Sequence, residues 1–131
     1  MNREKVIVVV DDEFIILESL KIQLSRFLSE DVILEYASSG TEALDIINEY
    51  QTNNHSIQLL VSDYNLDDMK GTDIVKYLHD KFPASKKVIL TGQSDLVSIQ
   101  NQTKEIEIDN FIPKPWNYEE LKSIILKLLE N

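Results

Sequence analysis

The 131-residue chain contains no cysteine, which excludes a disulfide framework, a thiolate nucleophile and a thiolate metal site. Its only glycines, Gly40, Gly71 and Gly92, are too far apart to build either a Walker phosphate loop or a dinucleotide fingerprint. Long apolar runs are also missing. No stretch approaches the length of a membrane span and the N-terminus has no signal-peptide pattern, so a cytoplasmic location without membrane contact is expected. Positive charge is scarce, with 13 Lys and Arg against 23 Asp and Glu, a formal net charge of −10. That balance opposes direct binding to nucleic acid or to an anionic membrane. The two histidines, His55 and His79, stand alone in a polar loop and on a helix, and both read as surface residues.

What is present fits one compact domain over residues 1–131. Val6–Val10 is wholly apolar, as expected of a parallel strand buried on both faces, and it ends in Asp11-Asp12-Glu13. A helix with Leu17, Leu20, Leu24, Phe27 and Leu28 at helical spacing follows. Val32–Tyr36 reads as an edge strand. Ser39-Gly40-Thr41-Glu42 reads as a capping box opening a helix with Ala43, Leu44 and Ile47 inward. A third strand over Ile57–Ser62 ends at Asp63, and a loop leads through Gly71 into a helix burying Ile74, Val75 and Leu78. Lys87–Leu90 is a fourth strand ending in Thr91-Gly92. Ser94 is placed to cap a thin fourth helix carrying Leu96, Val97 and Ile99. Ile108–Ile112 is a fifth strand ending in Pro113-Lys114-Pro115. Asn117 caps the last helix, with Trp116 and Leu121 spaced as a hydrophobic staple.

Five strands alternating with helices predict a doubly wound α/β fold, with a parallel sheet and helices on both faces. In such sheets ligands bind beyond the carboxyl ends of the strands. The unusual polar residues fall there: Asp11 and Asp12 after strand one, Asp63 after strand three, Thr91 after strand four and Lys114 after strand five. Each has an ordinary reading. Asp12 is a serviceable helix cap, Asp63 and Thr91-Gly92 are turn residues, and Lys114 is a surface lysine. Their coincidence at four strand ends favours a single site.

Converging carboxylates need raised pKa values or a cation, because a like-charge pair about 4 Å apart costs roughly 4 kcal/mol at an effective dielectric of about 20. With only oxygen ligands available, Mg²⁺ fits best. Adding a lysine charge and the Thr91 hydroxyl describes a phosphoryl-transfer site, in which the central Asp63 is placed as nucleophile. Two rival readings share parts of this pattern. A flavin-binding module of the same fold needs a neutral loop after strand one, which the acids oppose. A Mg²⁺-dependent phosphohydrolase with an aspartyl nucleophile places two aspartates one residue apart after the first strand, and that pair is absent.

The order Val-Val-Val-Asp-Asp-Glu, Leu-Val-Ser-Asp-Tyr-Asn-Leu, Met69-Lys70-Gly71, Ile-Leu-Thr-Gly and Phe-Ile-Pro-Lys-Pro resembles the receiver domain of two-component response regulators. The resemblance spans essentially the whole chain. It implies a flavodoxin-like sheet of order 2-1-3-4-5 and a signalling switch that catalyses only its own phosphorylation and dephosphorylation. Asp63 corresponds to the phosphorylated aspartate, supplied by a sensor histidine kinase, a histidine phosphotransfer protein or a small phosphodonor. Asp11, Asp12, Asp63 and the backbone carbonyl of Asn65 correspond to the Mg²⁺ ligands. Thr91 and Phe111 correspond to the switch pair, Lys114 to the phosphoryl's ion-pair partner, and Lys114-Pro115 to a cis bond. The face formed by the fourth helix, fifth strand and fifth helix is expected to meet an output domain, a partner protein or a second copy. Two features depart from the family pattern: Asp67 and Asp68 replace a common proline, and Pro113 precedes Lys114. Tyr64, Asn65 and Gln93 occupy positions that tune phosphoryl lifetime.

Overall fold

A computed structural model describes residues 4–130, apart from the side chain of Gln93. Five parallel strands, β1 (Lys5–Val10), β2 (Val32–Ala37), β3 (Leu59–Asp63), β4 (Lys86–Thr91) and β5 (Asn110–Pro113), form one sheet in the order β2-β1-β3-β4-β5. Between them run α1 (Phe14–Phe27), α2 (Gly40–Thr52), α3 (Gly71–Lys81) and α4 (Leu96–Gln102), and α5 (Tyr118–Leu129) follows β5. The predicted fold class and strand order both hold, with β2 at an edge as expected.

The valine-rich β1 occupies the second place in the sheet, and Val6 to Val10 are completely buried. Because strand side chains alternate between faces, the run feeds two cores. Val6, Val8 and Val10 join Leu60 and Ile89 against Ala43 and Ile47 of α2, Ile74, Val75 and Leu78 of α3, and Ile99 of α4. Ile7 and Val9 join Leu59, Val61 and Leu90 against Leu17, Leu20 and Leu24 of α1 and Leu121 and Ile125 of α5. A sheet covered on both faces can carry strands that are apolar throughout.

Several boundaries differ from expectation. The third strand begins at Leu59, because the side-chain carbonyl of Gln58 takes the N–H of Val6 (2.6 Å) before the regular ladder starts. The fifth begins at Asn110, not Ile108. The carboxylate of Asp109 accepts the Lys87 N–H (2.8 Å), while Ile106 and Ile108 fill the core from the preceding loop. Ser94 caps no α-helix; it lies inside a 3-10 turn over Gln93–Asp95, and α4 starts after it with Asp95 at its N-cap. Ile99 is the buried residue of this seven-residue helix.

The Ser39 hydroxyl accepts the Glu42 N–H (3.0 Å) as the capping box requires, but the Glu42 carboxylate returns to the N–H of Ser38 (2.6 Å) rather than to that of Ser39. The Asn117 cap on α5 is formed through the Glu120 N–H (3.0 Å). Trp116 and Leu121 join the same core as the staple requires, and the indole N–H donates to the side-chain oxygen of Gln23 (2.8 Å). Among the described residues no helix is long and apolar enough to cross a membrane.

Candidate functional site: an acid cluster at the sheet's carboxyl edge

Parallel pairing sets the site. Val10 of β1 lies beside Ser62 of β3, Asp63 pairs with Leu90 of β4, and Thr91 pairs with Pro113 of β5. The residues that end these strands therefore open into one crevice. One carboxylate oxygen from each of Asp11, Asp12 and Asp63 lies within 4.8 Å of the others. Asp11 is completely buried and Asp63 is 6% exposed.

Lys114 projects among the acids. Its Nζ donates to Asp11 Oδ2 (2.8 Å), lies 3.2 Å from Asp63 Oδ1 and is 3.7 Å from Glu13 Oε1. Glu13 is a participant that sequence reasoning treated only as part of an acidic run; nothing in its local pattern distinguishes it from a solvated helix-start glutamate. The Lys114-Pro115 peptide is cis.

Burial pushes the Asp63 carboxyl up, Lys114 opposes this, and Asp11 adds to it; the result is about 6. For Lys114, burial alone favours the neutral amine. Hydrogen bonding to Asp11 and the charges of Asp63 and Asp11 outweigh burial, and the ammonium is held above its ordinary range.

Asp12 does not cap α1. Its Oδ2 accepts the Asp67 N–H (2.7 Å), Asp11 Oδ1 accepts the Glu13 N–H (2.9 Å), and the N-cap residue is Glu13. Thr91 is buried and its hydroxyl donates to the Gly92 carbonyl (2.8 Å). Phe111 is half-buried and packs against the α2–α3–α4 core. The side chain of Asn65 faces away from the three acids: it accepts from Lys70 Nζ (2.6 Å) and donates to Asp95 Oδ2 (3.2 Å).

Tyr64 is buried beside Asp63, and its hydroxyl accepts a bond from the Gln102 amide at the end of α4 (3.1 Å). Gly71 closes the floor. Its N–H donates to the Tyr64 carbonyl (2.7 Å), and a Cβ there would lie 2.2 Å from the Asp63 carbonyl oxygen. The structure thus brings together Asp11, Asp12, Asp63 and Lys114, sets Thr91 at the neighbouring strand end, and leaves Phe111 in an adjoining core.

The donor set fits a hard divalent cation: three clustered carboxylates, all oxygen donors. A sheet of order 2-1-3-4-5 with such a cluster at its carboxyl edge defines a doubly wound α/β domain with an acidic site, and comparison with known proteins gives the family. The family model of the response regulator receiver domain matches residues 7–126, and the chain belongs to that family.

A chemotaxis protein CheY homolog of Campylobacter jejuni is 29% identical over 118 residues, covering 88% of this chain and 85% of that protein. The DNA-binding transcriptional regulator NtrC of Proteus hauseri is 27% identical over 121 residues, or 89% of this chain, which spans only 23% of that protein. Among solved structures, a CheY-like response regulator receiver domain protein from Methanospirillum hungatei is 32% identical with a TM-score of 0.76, covering 95% of this chain and 93% of that one. The signal receiver domain of an HD domain-containing protein from Pseudomonas fluorescens is 27% identical with a TM-score of 0.81, covering 98% and 96%. Receiver domains are signalling switches of two-component systems and bind Mg²⁺ at an acidic pocket.

Proposed function

We propose that Asp63 accepts a phosphoryl group from a phosphohistidine on a sensor kinase or phosphotransfer protein, or from a small acyl phosphate. The observation that carries this reading is the placement of the Asp63 carboxylate at mid-sheet, clustered with Asp11 and Asp12 and 3.2 Å from the Lys114 ammonium. An Asp63 oxygen attacks phosphorus, and the donor leaves as carboxylate or, from a phosphohistidine whose second ring nitrogen already carries a proton, as neutral imidazole. The new O–P bond replaces the broken N–P or O–P bond, and the product is an acyl phosphate.

Asp11, Asp12 and Asp63, with the backbone carbonyl of Asn65, would hold Mg²⁺. The ion supplies positive charge to the transferring oxygens. Lys114 neutralises the same region from the protein side and keeps Asp63 anionic against the pull of burial. Released from Gly92, the Thr91 hydroxyl would donate to the phosphoryl group. Phe111 would move with it, and the face formed by α4, β5 and α5 would report the change to an output domain, a partner or a second copy of the chain. The thin α4 and the half-buried Phe111 support placing the switch there.

A groove of about 480 Å³ opens beside Lys114 between α1 and the loop leading into α5, lined by Ile16, Gln23, Pro115 and Trp116. With Phe14 75% and Ile15 79% exposed next to it, this edge suits docking of the phosphodonor protein. The chain is read as a single receiver unit over 1–131, acting in the cytoplasm on itself and not as a turnover enzyme.

Incubation with Mg²⁺ and acetyl phosphate, followed by intact-mass measurement, tests the reading. The parent protein gains one phosphoryl group and Asp63→Asn gains none; equal labelling of both removes Asp63 from its role.

A further inference from the structure

The loop between β3 and α3 carries two aspartates where its family pattern favours proline, and both have specific partners. Asp67 offers a backbone N–H, which a proline lacks, and gives it to Asp12 Oδ2 (2.7 Å). Asp68 reaches across to α2. Its Oδ1 accepts the Gly40 N–H (2.9 Å), while its Oδ2 accepts the Thr41 N–H (2.9 Å) and the Thr41 hydroxyl (2.8 Å). Together with the Ser39 hydroxyl on the Glu42 N–H, this satisfies three successive donors of the helix start.

The next residue, Met69, packs over Gly40 so closely that a Cβ on Gly40 would lie 2.3 Å from Met69 Cγ. The loop is also tied to itself, by the Leu66 N–H to the Met69 carbonyl (3.2 Å) and by the bridge between Asn65 and Lys70. One end of this short, self-braced segment is therefore latched to α2, and the same segment holds the carboxylate of Asp12.

From this we infer that Asp68 is a positioning residue for phosphoryl transfer. By clamping the loop to the first turn of α2 it fixes the Asp67 N–H against Asp12, and so fixes the carboxylate orientation at which the cation is taken up. Rigidity that a proline ring supplies through its locked φ is supplied here by three hydrogen bonds and a methionine contact. Asp68 touches neither the acceptor nor the other acids of the cluster; it acts through Asp67. The inference rests on the phosphoacceptor reading, because it assigns Asp68 a part in shaping that site's cation pocket.

The test compares the parent with Asp68→Ala, Thr41→Val and Gly40→Ala. The last two leave every charge in place while removing one latch bond or displacing Met69. Three quantities are read: Mg²⁺ affinity by titration calorimetry at fixed ionic strength, amide exchange at Asp67, and the acetyl phosphate reaction rate at saturating Mg²⁺. Removing a group that orients a metal ligand weakens metal affinity about 10-fold, and that is expected for Asp68→Ala and Gly40→Ala, with a smaller loss for Thr41→Val. Exchange at Asp67 accelerates in the same order, and saturating Mg²⁺ restores most of the parent rate.

Parent-like Mg²⁺ affinity in Asp68→Ala and Gly40→Ala overturns the inference. So does a loss confined to Asp68→Ala with exchange at Asp67 unchanged, since that is an effect of charge alone. If Asp68→Ala unfolds, the two charge-neutral variants decide by the same criteria. A parent that binds no Mg²⁺ overturns the phosphoacceptor reading and this inference together, whereas a parent that binds it with indifferent variants overturns the inference alone.

Discussion

The backbone carbonyl of Asp63 and the Cα of Gly71 approach so closely that a methyl group on Gly71 would sit 2.2 Å from that oxygen. Both partners are backbone atoms at this contact, so no side-chain rotation relieves it. Gly71→Ala should destabilise the fold by about 1–3 kcal/mol, as overpacking does, and should displace the end of β3. Urea unfolding measures the first effect, and slower labelling by acetyl phosphate measures the second. Gly40→Ala, which meets a flexible methionine, should cost less.

Lys114 ion-pairs with the buried Asp11 at 2.8 Å. Lys114→Met keeps the apolar stem and removes the charge, leaving Asp11 and Asp63 unneutralised. The expected loss at neutral pH is about 3 kcal/mol, the scale for breaking a buried pair from one side. The loss should shrink toward pH 4 as Asp63 takes up its proton. Denaturant unfolding of parent and variant at both pH values checks magnitude and direction.

The Asp63 carboxyl titrates near 6 in the folded chain and near 4 when unfolded. A raised acid pKa means that the folded state binds the proton more tightly, so this group's contribution to stability is present below pH 4 and lost as pH rises through 6. Asp63→Asn removes the titration. Its stability relative to the parent should therefore rise across pH 4–6 and level off above, by about 3 kcal/mol in all at 1.36 kcal/mol per pH unit. A difference that stays flat over this window contradicts the buried-carboxyl account.

Cation binding should offset the same repulsion. Mg²⁺ should raise the melting temperature of the parent with the logarithm of its concentration above the dissociation constant, and chelation should reverse it. Asp12→Ala should lose most of the shift while retaining the fold, since the Asp12 side chain is only half-buried and caps no helix. Calorimetric scans with and without the ion give the comparison.

Thr91→Val should leave stability within about 1 kcal/mol of the parent, because the hydroxyl's bond is a single neutral one to Gly92. Amide exchange across residues 91–116 with a phosphoryl mimic should then separate the two proteins. The parent changes protection there and the variant does not.

The fold was legible because both kinds of burial leave a trace in sequence. The continuous run Val6–Val10 marks a strand covered on two faces, and Leu17, Leu20 and Leu24 mark a helix covered on one. Strand ends were legible as abrupt changes from apolar to acidic, which is how Asp11, Asp12 and Asp63 could be grouped before any coordinates. Contacts that join distant segments through loops were not. Asp68 and Gly40 lie 28 positions apart with no periodicity between them. The ion pair between Glu13 and Lys114 depends on how far a flexible side chain reaches past two intervening strands. Ile108 imitated a strand residue because an apolar side chain packs a core equally well from a loop.

Asp11 and Lys114 stand 103 positions apart in the chain and touch only after β5 has joined the sheet. Loop closure over so long a segment comes late, when most of the architecture already exists. A chain emerging from the ribosome thus carries its clustered negative charge before the counter-charge arrives. The last strand to be synthesised both completes the sheet and brings Lys114 to the acids, so the finished scaffold and the partial counter-charge arrive together.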